Sequence, residues 1–193
     1  MAQRRKAQQG GAELFCVCSA DLETDHGGRI IGGQSDIALT EDGLKRAQEL
    51  ASRIRKSRLP IRTIFSSPLL RAIQTADTIH DFLNVKLRVI EPLRERNFGQ
   101  WEGRPIAEIS DWPEVTATPP GGESLEEFKN RVRLAIQTVK AEAEASGSVL
   151  IVAHPHLIRA WISLGPKVVP SDIDNGVIYR MDAKPDHWSA TRI

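Results

Sequence analysis

A histidine and a carboxylic acid can trade protons with a ligand, and an arginine can hold a negative charge. Candidates for all three stand where the chain changes character. His154 follows the apolar run Val149 to Ala153 and precedes Pro155. Glu95 lies between Arg94 and Arg96, and Arg71 falls just after Ser67-Pro68. Cys18 and Ser19 end the first apolar run. A serine beside a histidine can become a nucleophile. A thiol reacts readily only when its pKa is lowered, and nothing around Cys18 in the sequence points to that. Each residue also has an ordinary reading: a satisfied histidine at a strand end, a surface ion pair, a solvated helix arginine, a small filler at a strand end. His26, in Asp25-His26-Gly27, reads as a loop histidine.

The elements that must position these residues are legible from spacing. Leu14 to Ser19 reads as a buried strand, followed by a Gly-rich loop from Asp21 to about Ala38. Glu41 to Lys56 has helical spacing, with Leu44, Ala47, Leu50, Ala51 and Ile54 on one face and Thr40 as N-cap. Ile61 to Phe65 reads as a second strand. Ser67-Pro68 looks like a helix start, with Ser67 as its N-cap. Lys86 to Ile90 alternates like a strand. Ser124 with Glu127 forms a capping box for a long helix ending near Ser146-Gly147. Val149 to Ala153 is the most apolar strand, His156 to Leu164 reads as a helix, and Val177 to Met181 and Ser189 to Arg192 are late strands. Strands alternating with helices predict an α/β sandwich with a mainly parallel sheet. Sites in such sheets form at the carboxyl ends of strands, here Ser19, Ser66 and Ala153.

The chain has 193 residues, enough for one domain with a real core, expected over residues 13–193 after a disordered lead-in at 1–12. A net charge of +1 argues against a general nucleic-acid or membrane-surface partner. No apolar run has the length of a membrane span. The two cysteines exclude a disulfide framework and, left free, suit the cytoplasm. No metal, nucleotide or haem motif is present, so no cofactor is expected. The Trp residues at 101, 112, 161 and 188 read as packing.

Four segments, in order, resemble the histidine phosphatase superfamily. They are Gly28-Arg29-Ile30 with Ser35 to Thr40; Ser66-Ser67-Pro68-Leu69-Leu70-Arg71-Ala72-Ile73-Gln74-Thr75-Ala76; Leu93 to Gly103; and Val149-Leu150-Ile151-Val152-Ala153-His154. Gly121-Gly122-Glu123-Ser124 also matches. The resemblance implies a three-layer α/β/α, phosphoglycerate-mutase-like sandwich. It also implies that Arg71 is the second phosphate-binding arginine, His154 the second histidine and Glu95 the proton donor. The family ends its first strand with arginine, histidine and glycine, and this chain does not. Counting back from Gly28-Arg29 without a gap puts Cys18, Ser19 and Ala20 there, and Glu23 and Asp25 then fall where the family often has acidic and Asn residues. With a gap, Ala20, Asp21 and Leu22 take those places. Both registers lack the nucleophilic histidine.

The expected ligand is therefore a small anionic or phosphorylated metabolite, held at Arg71 with Ser19 and Cys18 at the floor. The leading expectation is a small-molecule enzyme that uses Glu95 and His154 as proton carriers without forming phosphohistidine. A catalytically silent binding or regulatory protein is the alternative from another class. A phosphatase or mutase rescued by His26 or Ser19 is the third.

Overall fold

The computed structural model describes residues 12–20, 26–110, 116–165, 173–185 and 187–193. The tail Met1 to Gly11, the segment Asp21 to Asp25 and Trp112 lie outside the described residues.

Strand β1, Leu14–Cys18, is buried along its whole length. Helix α1, Glu41–Ser57, begins where expected, with the Thr40 hydroxyl accepting the Gly43 N–H. Its buried face is Gly43, Ala47, Leu50, Ala51 and Ile54, while Leu44 is 40 % exposed. The apolar stripe passes through Gly43 in the first turn, which lets the helix lie close and leaves Leu44 outside. Strand β2 is Thr63–Ser66, helix α2 is Leu70–Leu83 and strand β3 is Lys86–Val89. Helix α2 starts later than Ser67-Pro68 suggests: Leu69 is the N-cap residue, and Ser67 Oγ accepts the Leu69 N–H at 3.3 Å ahead of it. The Leu70 N–H is taken by Asp36 Oδ1 at 2.6 Å, from the loop before α1.

Helix α3, Leu125–Ser146, carries the full capping box between Ser124 and Glu127. It leads to β4, Val149–Ala153, then α4, Pro155–Ile162. Strands β5, Ile178–Ala183, and β6, Trp188–Arg192, close the chain.

The six strands form one sheet in the order β3-β2-β4-β1-β5-β6. β1 to β4 run parallel, and β5 is antiparallel to both of its neighbours. Alternation along β1 sends Leu14, Cys16 and Cys18 to one face and Phe15 and Val17 to the other. The first face packs under α3 and α4, with Phe128, Val132, Leu157 and Trp161. The second packs under α1 and α2, with Leu50, Ile54, Ala72 and Ile79. This is the expected three-layer α/β/α sandwich with a mainly parallel sheet. Trp161 is fully buried and meets Trp188 edge to face at 5.2 Å between ring centroids, a packing contact. No helix among the described residues is long and apolar enough to cross a membrane.

Candidate functional site

Parallel pairing decides what lies at the carboxyl ends of the central strands. Cys18 pairs with Ala153, and the ladder continues one step, with the Ser19 N–H donating to the Ala153 carbonyl at 2.8 Å. Ser19 and His154 therefore leave the sheet side by side. On the other flank of β4, the Ser67 N–H donates to the Val152 carbonyl at 3.0 Å. Ser67 Oγ then lies 2.7 Å from His154 Nε2. Ser67 is fully buried, and its contact with His154 was hidden behind the helix-start signal of Ser67-Pro68.

Arg71 comes from the first turn of α2 and is 4 % exposed. Its guanidinium donates to the Ser35 carbonyl at 2.7 Å and the Gly32 carbonyl at 3.4 Å. The 32–35 loop is in turn tied down by Glu102, which accepts the N–H groups of Gln34 and Phe98 and the hydroxyl of Ser35. Thr75, one turn beyond Arg71, accepts the Ala20 N–H at 3.1 Å and anchors the exit from β1.

Glu95 is 2 % exposed. One carboxylate oxygen accepts the Arg96 N–H at 2.8 Å, the other the His156 N–H at 3.1 Å. The His156 Nδ1 lies 3.5 Å from that second oxygen. Burial opposes the Glu95 charge, yet the His156 contact, the nearby His154 and the Arg96 amide outweigh it and bring its pKa down to about 2. His154 moves the other way. Burial, then the Arg71 charge, hold its imidazole well below the ordinary histidine range, against the pull of Glu95. At neutral pH the free site thus presents an ionised Glu95 and a neutral His154.

Arg71, Glu95, His154 and Ser19 are brought to one end of the sheet, where the charges of Arg71 and Glu95 both bear on His154. Cys18 is not with them. Its thiol is fully buried in the apolar core with Ala153 and Leu157, and burial pushes its pKa well above the ordinary thiol value. A side chain on that face of β1 points beneath α4, so the expected Cys18 contact with an anion is corrected to a packing role. A cleft of about 360 Å³ beside Glu95 is lined by Arg94, Asn97, Glu123 and Arg131 among others. A larger hollow of about 460 Å³ lies at the opposite end of β1, by Glu13, Lys140 and Trp188, away from the strand ends that hold these groups. Among the described residues no group of three or more His, Cys, Asp or Glu side chains could hold a metal ion.

The family model described as the histidine phosphatase superfamily (branch 1) matches residues 15–193. The chain belongs to this family. A 2,3-bisphosphoglycerate-dependent phosphoglycerate mutase of Cytophaga hutchinsonii is 34 % identical over 157 residues, 75 % of this chain and 73 % of that protein. A Mycobacterium tuberculosis protein named as bifunctional is 32 % identical over 162 residues, 79 % of this chain but only 43 % of its own length. The solved mycobacterial glucosyl-3-phosphoglycerate phosphatase, in complex with VO3, superposes with a TM-score of 0.74 at 26 % identity, covering 93 % of this chain and 97 % of that one.

In this histidine phosphatase family member the loop carrying Arg71's acceptors is held by a close backbone approach. A Cβ on Gly33 would stand 2.5 Å from the Glu95 carbonyl oxygen and 3.2 Å from the Asn97 nitrogen. Those are main-chain atoms that cannot rotate away. Gly33→Ala should therefore push the 32–35 loop off the Glu95–Asn97 segment and cost about 1–3 kcal/mol. Thermal denaturation will show the loss of stability. Sulfate titration by calorimetry should show weaker binding, because the Gly32 and Ser35 carbonyls that aim Arg71 move with the loop. His26 opens a separate stretch of loop, which pairs with the 103–106 segment through the Gly28 and Ile30 main chain.

Proposed function

We propose that this chain binds a small phosphorylated or otherwise anionic molecule at the carboxyl ends of β1, β2 and β4, and acts on it without forming phosphohistidine. The observation that carries this reading is the Ser19 N–H bonded to the Ala153 carbonyl. It supports the ungapped register, in which a serine stands beside His154 where the family has its nucleophilic histidine. Residues 13–193 act as one domain, and Arg71 supplies the positive charge for the anion.

The chemistry follows from the resting charges. Ionised Glu95 is a proton acceptor, and neutral His154 can give or take a proton through its ring nitrogens. That pair suits proton abstraction, elimination or isomerisation on an anionic substrate. An anion bound beside Glu95 raises its pKa through like charge, so binding and proton uptake are linked. The binding-only reading has one observation in its favour. Both Glu95 oxygens already accept N–H groups, and His154 Nε2 already meets Ser67.

Incubation with an aryl phosphate labelled in its phosphoryl group is the decisive experiment. The expected result is sulfate- or vanadate-competable binding with no acid-labile label on the protein. Acid-labile label on His26 would overturn the reading in favour of a relocated nucleophile. Turnover of a carbon-centred anionic substrate separates the enzyme from the binding protein.

A further inference from the structure

His156 carries no motif signal, yet it makes two contacts to one atom of the site. We propose that His156 is the positioning residue for Glu95: its main-chain N–H and its imidazole Nδ1 together hold one oxygen of the Glu95 carboxylate at the start of α4. This deepens the functional reading above and rests on Glu95 being the group that meets the ligand.

The helix end explains why His156 has this task. Pro155 occupies the first position of α4 and has no N–H to give. The first donor after His154 at that end is the His156 N–H, which points to Glu95 Oε2 at 3.1 Å. The imidazole of the same residue folds back so that Nδ1 lies 3.5 Å from the same oxygen. The ring is held there by Phe98, edge to face at 5.0 Å between centroids. Phe98 is itself fully buried, with the Arg96 guanidinium 5.4 Å over its ring. Arg96 and Phe98 follow Glu95 within three residues, so one short segment supplies both the carboxylate and the platform for its partner. His156 is 8 % exposed, which keeps water from competing strongly for the carboxylate.

The ordinary reading is a core histidine satisfied by chance. It does not account for the main-chain N–H and the ring Nδ1 of one residue converging on one oxygen. Other groups also bear on Glu95. His154 stands two residues earlier in the chain, the Arg96 N–H holds the other oxygen, and Arg131 from α3 donates to the Glu95 carbonyl. The Cys18 thiol on β1 feels the Glu95 charge. The His156 ring can be changed while its main-chain N–H, the Arg96 N–H and the strand ends all stay in place.

The test is a ¹³C NMR titration of the carboxylates in the ligand-free protein, with Glu95 assigned by Glu95→Gln. His156→Phe keeps an aromatic ring for Phe98 and the main-chain N–H, and removes Nδ1. The Glu95 midpoint should then rise by about one unit or more, while the other glutamates stay in place. His156→Gln, which restores a neutral donor, should recover part of the shift. A midpoint unchanged in folded His156→Phe would overturn the proposal. Should that variant not fold, ¹⁵N shifts of the wild-type His156 ring decide: a ring nitrogen that does not respond as Glu95 titrates overturns it equally. No ligand is added, so the outcome is independent of whether the functional reading stands.

Discussion

Cys18→Arg combined with Ser19→His is expected to give this protein an acid-labile phosphoenzyme, with none expected from the parent chain under the same conditions. The expectation rests on the β1 and β4 ladder, which sets residue 19 beside His154. An imidazole at position 19 would join Arg71, Glu95 and His154 at the same strand ends. Arginine at position 18 would restore a second cation for the phosphoryl oxygens, and each such charge-assisted contact is worth about 1.5–3 kcal/mol. Its side chain must leave the apolar pocket that now holds the Cys18 thiol and reach past the strand end, so some stability will be lost. Turnover should stay feeble, because a misplacement of about 1 Å can cost a hundredfold and Pro155 withholds an N–H at the start of α4. Ser19→His alone should label less, lacking the first arginine. The readout is acid-labile phosphate on the folded variant after incubation with labelled aryl phosphate. Label on Ala20→Arg with Asp21→His instead would establish the gapped register. A folded pair of double variants that both stay unlabelled would mean the pocket has diverged beyond its nucleophile.

The second large effect is on stability in acid. Glu95 has a folded pKa of about 2 against an ordinary value of 4.5. A depressed carboxylate stabilises the fold above its unfolded pKa, and that stability is lost as the pH falls through 4.5 toward 2. For a group so buried the contribution is on the order of 3 kcal/mol. His154 adds to the same limb. Its pKa lies below the ordinary 6.5, so the unfolded chain takes up a proton first and stability starts to fall as the pH drops below that value. Urea midpoints measured from pH 7 to pH 3 should therefore decline in two legs. Glu95→Gln should flatten the lower leg and His154→Gln the upper. A lower leg that survives in Glu95→Gln would assign the acid lability to other carboxylates.

Both expectations draw on features that differ in how far the sequence exposes them. Thr40, Ser124 and Glu127 cap their helices as read, because capping is a local matter of a few residues. The burial of β1 and β4 follows from their apolar runs, and the site's place at strand ends follows from the parallel order. Ser67 was legible only as a helix start. Its contact with His154, and the Asp36 carboxylate that takes the first N–H of α2, are contacts across the fold that no local pattern carries. His156 gives no signal for the same reason, since Glu95 lies 61 residues away in sequence. Cys18 was drawn into the site by alignment with the family's arginine, but alternation along β1 turns a short side chain there into the core.

The place of β1 in the sheet also governs how the chain can reach this state. It precedes the other five described strands in the chain, yet it lies between β4 and β5, at Val149–Ala153 and Ile178–Ala183. At about 5–20 residues per second, translation leaves its apolar edge without partners for roughly ten seconds. No early fragment can bury Phe15 and Val17 against their native neighbours in the sheet. Folding must wait for the last quarter of the chain, and the pairing that completes it is non-local and slow to close. A chain released short of β4 would therefore carry β1 with an unpaired edge, the kind of edge that invites pairing with another chain.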